Sequence, residues 1–339
     1  MPENNKDLIA ARIKKNSEFY TQRTDIEKEL KYYKKFFKGK IVYCNCDDPR
    51  VSQFFHYFSD NFNHLGLKKL ITTCYKNQDE NLFSRGKSEK AIYLEFNGIK
   101  KNNKNEKKID IKKLDGDGDF RSKECLKLLE QSDIVVTNPP FSLFGDLIDL
   151  LIRYKKKFLL LGDINKTSKK NIAVLMRKKK IWIGASIRSG DRWFGVPDEY
   201  PLDAATTKTE RGKKFLKVKG VRWFTNLNYR ERPTHLELYK KYRGNEKEYP
   251  KFKYYNAINI DEARKIPKDY SGAMAVPITF LDKHDPNQFE IISCNDIKIN
   301  KNIKDKEHGL IKDKESLLVG KNGRKTYVRY VIKNKKVER

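Results

Sequence analysis

The chain carries 339 residues, with 74 Lys or Arg against 45 Asp or Glu and a formal net charge of +29. Its length supports one large or two ordinary domains with a sizeable core, and 38% hydrophobic with 12% aromatic content excludes a chain disordered throughout. So large an excess of one sign repels itself in a compact state, which predicts a polyanionic partner, either nucleic acid or an anionic membrane surface.

After a polar start, residues 25–37 read as an amphipathic helix, with Ile26, Leu30, Tyr33 and Phe37 at spacings of three and four. A strand is expected over 40–46, a helix over 49–58 and a second strand over 68–75 after the turn at Gly66. Residues 97–113, NGIKKNNKNEKKIDIKK, read as a solvated loop or hairpin. A helix near 122–129, a strand at Ile134–Val136, a helix over 142–154 and the apolar strand KFLLLG at 157–162 follow. Continuous apolar runs alternating with helices predict an α/β fold whose parallel sheet is covered on both faces. A helix at 171–179 and strands at 181–185 and 221–227 come next, with a Gly-containing basic segment between those two strands. From about residue 231 the pattern turns irregular, with one strand expected at Val276–Leu281, so a boundary is placed near 230.

No run approaches the roughly 18 apolar residues of a spanning helix. The opening MPENNKDLIAARIKKN also lacks the apolar stretch of a secretory signal. Cys44, Cys46, Cys74, Cys125 and Cys294 are odd in number and form no C-x-x-C pair. Free thiols in a reducing cytoplasm are expected, and the spacing excludes a zinc ribbon. No His-x-x-x-His or similar ligand spacing is present, so no metal is expected.

The most informative string is Asn138-Pro139-Pro140-Phe141, which follows directly on the buried strand. Ligands of an open parallel sheet sit beyond the carboxyl ends of its strands, which puts these residues at a site edge. The two prolines fix the backbone. The rigid corner then offers two acceptors, the Asn138 side-chain oxygen and the Pro139 carbonyl, beside the aromatic face of Phe141. That arrangement suits an exocyclic amine on an aromatic base, whose lone pair is delocalised into the ring. Two acceptors gripping its hydrogens favour the pyramidal form that frees the lone pair, so catalysis is orientation plus preorganised electrostatics. Phe141 would stack on a base drawn out of the duplex. The bland alternative is a Pro-Pro turn in which Asn caps the next helix.

Asn138 to Phe141 resembles the catalytic motif of S-adenosylmethionine-dependent amino-methyltransferases. Further strings narrow the resemblance to the EcoRI-type adenine modification methylases: SEFYTQRTDIE (17–27), VYCNCDDPRVSQFF (42–55), GDGDFRS (116–122), SDIVVTNPPFSLF (132–144) and MAVPITFL (274–281). The resemblance runs over nearly the whole chain in the same order. It implies a Rossmann-like methyltransferase core over 1–230 and a DNA target-recognition region over 231–339. Asn138, Pro139, Pro140 and Phe141 would be catalytic. Tyr20 and Thr21 would cover S-adenosyl-L-methionine, Asp48 and Pro49 would meet its methionine end, and Asp119 and Phe120 would hold its adenine, with Asn138 also touching the cofactor. Gln22 stands where a proline is common. Val51, Ser52 and Gln53 stand where glycines usually follow Asp-Pro, and the second strand lacks the acid that often grips ribose.

The implied activity is N6-methylation of a flipped adenine in double-stranded DNA, at a GAATTC-like target. The enzyme would act as a cytoplasmic monomer, without metal or membrane, paired functionally with a restriction endonuclease without forming a stable complex. Two alternatives stay open. One is an inactive, methyltransferase-like DNA-binding protein; the other is an amino-methyltransferase acting on cytosine N4, RNA or protein glutamine.

Apart from the resemblance, Asp115 to Asp119 could form a calcium loop. That reading fails, because Phe120 stands at the sixth position and Leu126 at the twelfth. The run 208–222 holds seven Lys or Arg against one acid, which reads as phosphate contacts or as a solvated face. Trp193 and Phe194 are either fillers of the space left by a flipped base or core.

Overall fold

The computed structural model describes residues 20–45, 52–74, 91–98, 110–187, 191–196, 206–229, 235–252, 256–294 and 329–337. They fall into two units, one formed by residues 1–163 and 184–230, the other by 164–183 and 231–339.

In the first unit, α1 (Arg23–Leu30) and α2 (Lys34–Phe37) replace the single helix expected over 25–37. The apolar stripe survives the break, since Ile26, Leu30, Tyr33 and Phe37 are all fully buried. There follow β1 (Ile41–Cys44), α3 (Gln53–Asp60), α4 (Phe62–Leu65), β2 (Lys69–Cys74), β3 (Ile92–Phe96) and β4 (Asp110–Lys113). Next come α5 (Lys123–Gln131), β5 (Ile134–Thr137), α6 (Phe144–Arg153) and β6 (Lys157–Asp163). Ser52 and Ser122 cap α3 and α5, accepting from the backbone N–H groups of Phe55 and Cys125 at 3.3 and 3.2 Å. The chain then contributes α7 (Lys170–Arg177) and the short β7 (Trp182–Ile183) to the second unit. It returns with β8 (Arg192–Val196), β9 (Thr207–Glu210), β10 (Lys213–Val218) and β11 (Val221–Thr225).

The main sheet of this unit runs in the order β4-β3-β2-β1-β5-β6-β11. The expected parallel sheet is in fact mixed. β2, β1, β5 and β6 are parallel, whereas β3, β4 and β11 join antiparallel. Residue pattern reports burial but not direction, so the reversed strands escaped it. β5 and β11 are buried along their whole length, as strands covered on both faces must be. Of the loop or hairpin expected over 97–113, β4 forms the second arm and pairs antiparallel with β3, which lies just before that range; residues 99–109 lie outside those described. Glu95 on β3 pairs with Lys69 and Lys112 at 3.2 and 3.4 Å and ties that edge together.

The basic segment expected between two strands forms a sheet of its own, β8-β10-β9, antiparallel throughout. Its register pairs Trp193 with Lys217 and Phe215 with Lys208. Phe194 and Val196 are buried on the opposite face.

The second unit holds β12 (Ala257–Asn259), β13 (Ala273–Pro277), β14 (Phe289–Cys294) and β15 (Arg329–Asn334), in the order β12-β13-β15-β14. The strand expected at 276–281 therefore lies earlier, and residues 278–283 turn into a 3-10 helix. The physical reason is Pro277, which has no N–H to continue a ladder. Tyr330 of β15 is fully buried and donates to the Thr167 carbonyl at 2.9 Å. Arg177 of α7 donates to the Ile292 carbonyl at 3.3 Å. No helix among the described residues is long and apolar enough to cross a membrane.

Candidate active site

The sheet sets the location. From β1 the parallel strands run outward to β2 on one side and to β5 and β6 on the other, so the strand order reverses between β1 and β5. Ligands of open α/β sheets settle outside the carboxyl ends of the strands at such a reversal. β1 and β5 are in direct register there, with Val42 beside Ile134 and Tyr43 beside Val135. Their carboxyl ends are Asn45 and Thr137, joined by a hydrogen bond from the Thr137 hydroxyl to the Asn45 carbonyl. Asn138 is the next residue.

The corner is held from below and behind. Val135, Val136 and Thr137 are fully buried, Pro139 is buried, and Asn138, Pro140 and Phe141 are half-buried. The Leu143 N–H donates to the Pro140 carbonyl at 2.9 Å, closing a turn that delivers the chain into α6. Phe144, the first residue of α6, is fully buried and meets Phe224 edge to face at 4.9 Å. It lies over Gly162 of β6, where an added Cβ would stand 2.5 Å from the Phe144 ring. Glycine at 162 is therefore what lets α6 start where it does. The result is a rigid Asn-Pro-Pro-Phe corner opening at the sheet's reversal point.

Asp119 and Phe120 lie on the loop that enters α5. Glu124 organises this turn, accepting from the backbone N–H groups of Asp115 and Gly116 at 3.0 and 2.9 Å, and Asp117 accepts from the Asp119 N–H at 2.9 Å. Phe120 is buried. Both carboxylate oxygens of Asp119 face the Arg121 guanidinium, at 2.9 and 2.6 Å. The Arg121 hydrogen bond, set against partial burial, holds the Asp119 carboxyl below the usual carboxylate range. Asp146, in the first turn of α6, also contributes to the field at Arg121. The loop thus lies within electrostatic reach of the helix that the Asn-Pro-Pro-Phe corner feeds.

Tyr20 and Thr21 precede α1. Tyr20 exchanges two backbone hydrogen bonds of 2.9 Å with Gly195 of β8, and Thr21 is buried. α1 in turn is fixed to α3, the helix after β1. Arg23 reaches Asp60 at 3.1 Å and lies over the Tyr57 ring at 5.1 Å. Glu29 is fully buried and accepts from the Tyr33 hydroxyl at 2.8 Å and from the Ala185 and Ser186 N–H groups at 2.8 and 2.7 Å. Asp48 and Pro49 lie outside the described residues.

Among the buried polar atoms with no hydrogen-bond partner in the described residues are the Asn45 side-chain oxygen, at the end of β1, and the Thr21 hydroxyl. Such atoms are costly inside a fold. Reading the sequence assigned Asn45 nothing. The signal that could have found it is a buried amide ending an apolar strand, at the place where a ligand is expected.

Comparison with known proteins decides the family. Residues 7–335 match the family described as "Adenine-specific methyltransferase EcoRI". The chain belongs to that family. It is 43% identical to the Type II methyltransferase M.EcoRI of Escherichia coli, over 99% of this chain and 98% of that protein. It is 38% identical to the Type II methyltransferase M.MgeORF184P of Mycoplasma genitalium, over 96% and 98%. Against the Type II methyltransferase M.MpnI of Mycoplasma pneumoniae the identity is 37%, over 96% and 97%. No solved structure matches the chain. The resemblance read from the sequence is thus correct, and the chain is an adenine-specific methyltransferase. Among the described residues no group of His, Cys, Asp and Glu could hold a metal ion.

Proposed function

We propose that this family member transfers a methyl group from S-adenosyl-L-methionine to N6 of an adenine within one specific sequence of double-stranded DNA. The observation that carries this reading is the rigid Asn138-Pro139-Pro140-Phe141 corner at the carboxyl end of β5, beside the reversal of strand order. The Asn138 side-chain oxygen and the Pro139 carbonyl accept from the two hydrogens of the adenine amine and hold its nitrogen pyramidal. Phe141, half-buried, stacks on the extruded base. Catalysis is positioning and preorganised electrostatics, and no strong base acts before attack.

The site's chemistry fits the cofactor. The Asn45 oxygen and the Thr21 hydroxyl are buried polar atoms in want of partners, and S-adenosyl-L-methionine carries an ammonium, ribose hydroxyls and an adenine amine that supply them. When bound, it provides an electrophilic methyl on a sulfonium sulfur. Tyr20 and Thr21 cover it, Asp48 and Pro49 meet its methionine end, and Phe120 lies against its adenine. Arg121 keeps Asp119 ionised, and therefore an acceptor for the adenine amine. Residues 1–230 act as a Rossmann-like catalytic domain and residues 231–339 as the target-recognition region. The target resembles GAATTC. The enzyme acts as a cytoplasmic monomer, protecting its site from a partner endonuclease with which it forms no stable complex.

The test is transfer of tritiated methyl from S-adenosyl-L-methionine to duplex DNA, RNA and total protein offered in parallel. Label in DNA alone is expected. Label in protein or RNA alone would overturn the reading.

A further inference from the structure

The three-stranded sheet β8-β10-β9 has two unlike faces. One buries Phe194 and Val196. By strand alternation and register, the other carries Trp193, Phe215, Lys208, Lys213 and Lys217. Trp193 and Phe215 are only half-buried. The Lys208 ammonium lies 4.9 Å from the Trp193 ring centre and 5.5 Å from that of Phe215, and the Lys217 ammonium lies 5.9 Å from Trp193.

Charge around this face is one-sided. Residues 206–220 hold six Lys or Arg and a single acid, Glu210. Glu210 pairs with Lys208 at 2.7 Å, and Asp191 pairs with Lys217 at 3.4 Å. Both pairs lie at least partly in solvent, where such contacts are worth little, so an anion with several charges displaces them readily. The seventh cation of the basic run read from the sequence, Arg222, is buried in β11 and donates to the Val221 carbonyl at 2.8 Å, so it belongs to the core. What remains is an antiparallel face that carries aromatic rings beside lysines. Its first strand is hydrogen-bonded through Gly195 to Tyr20, and a Cβ added at Gly195 would stand 3.4 Å from the Cβ of Tyr20. The face therefore continues into the segment assigned to the cofactor.

We propose that this face holds the backbone of the substrate duplex, with Lys208 and Lys217 on phosphates and the Trp193 ring against the adjoining nucleotide. Lysine supplies affinity without sequence choice, and a half-buried ring flanked by cations offers its open part for stacking to any base or sugar. The inference rests on the reading of the enzyme as acting on duplex DNA.

The experiment uses the full chain and a fluorescein-labelled duplex bearing GAATTC, with binding followed by anisotropy between about 50 and 200 mM salt. Each phosphate contact contributes roughly 0.9 to the slope of log affinity against log salt. Lys208→Ala with Lys217→Ala is expected to reduce that slope by about 2 and the affinity about tenfold at the lower salt. Lys208→Arg with Lys217→Arg keeps both. Lys69→Ala with Lys112→Ala, on the β2–β4 edge, removes the same charge and is expected to leave the slope in place. Tryptophan emission should change when DNA is added to the wild type; Trp223 is fully buried, so Trp193→Phe should remove that change while Trp182→Phe, at the half-buried third tryptophan, should keep it. Calorimetry with S-adenosyl-L-methionine should show cofactor binding retained in every variant. If the wild type binds duplex while the Lys208/Lys217 alanine variant keeps its slope, this surface is wrong and the enzymatic reading stands. If the wild type binds no duplex, both fall together.

Discussion

Around the β5 corner the chain places two prolines, buried aliphatics and a single amide. Across β8, β9 and β10 it places lysines over half-exposed aromatic rings. The corner has almost no conformational choice, because Phe144 is wedged against Gly162 and Phe224 and the Leu143 N–H is tied to Pro140. The small sheet holds its lysines in partly exposed ion pairs that cost little to exchange. A group that must meet one atom in one geometry is built rigid, and a surface that meets a charged polymer need not be. Substitutions in the corner should therefore lower turnover without altering salt dependence, and those on the sheet should do the reverse.

The largest effect should come from the corner itself. Asn138→Ala is expected to reduce turnover on the order of 10³-fold or more, since an aimed electrostatic contact is lost, while the affinity for duplex DNA stays within about twofold. Steady-state kinetics paired with anisotropy measures both, and retained turnover would show that another residue grips the amine.

Next comes Glu29, which joins α1, just after the Tyr20 segment, to the bend at Ala185 and Ser186 that precedes β8. Removing its carboxylate in Glu29→Ala strands the Ala185 and Ser186 N–H groups and the Tyr33 hydroxyl. The expected cost is about 3 to 5 kcal/mol by urea denaturation, with Glu29→Gln milder. A loss under about 1 kcal/mol would mean that the two regions are not linked through this group.

A comparable effect should appear in the second unit, apart from both regions. His284 lies between Phe280, at 5.8 Å ring to ring, and the Phe289 carbonyl, at 3.4 Å, and burial pushes its imidazolium down from 6.5 to about 4. The folded state therefore disfavours the charged form. The contribution is complete above pH 6.5, declines as the pH falls toward 4, and is constant below that, for a total of about 3 kcal/mol. Denaturation at pH 7.5, 5.5 and 4 should show wild type losing stability relative to His284→Gln, and parallel curves would contradict the assignment.

The smallest of the four returns to the corner. Gly162→Ala forces the Phe144 ring aside at a cost of about 1 to 3 kcal/mol in thermal or chemical melts. Turnover should fall with it while the salt slope stays unchanged. An equal fall in duplex affinity would blur the distinction between corner and sheet.

Parts of this organisation could be read directly from residues. The stripe Ile26, Leu30, Tyr33 and Phe37, the apolar runs of β1, β5 and β6, and the Asn-Pro-Pro-Phe string each carry a local signal that depends on no distant partner. The hairpin was read too short on its first arm, since β3 lies just before the highly charged excursion that drew attention to the segment. The reversed direction of β3 and β11 was missed because pairing is decided by which strands become neighbours in the sheet. The small sheet was illegible because its alternation runs between lysine and aromatic residues, not between polar and aliphatic ones, and because Phe194 and Trp193 take opposite faces. In the candidate site, Asn138 to Phe141 announced themselves, whereas Asn45 became visible only once β1 and β5 were known to be neighbours. The hold of Arg121 on Asp119 depends on a turn set by Glu124 nine residues from Asp115, which no short motif encodes.

The most direct measurement is methylation-sensitive single-molecule sequencing of DNA from a host expressing either the wild-type chain or Asn138→Ala. The account predicts N6-methyladenine at one short sequence in the first host and none of it in the second. Modification confined to cytosine N4, or the same adenine pattern from the Asn138→Ala chain, would contradict it.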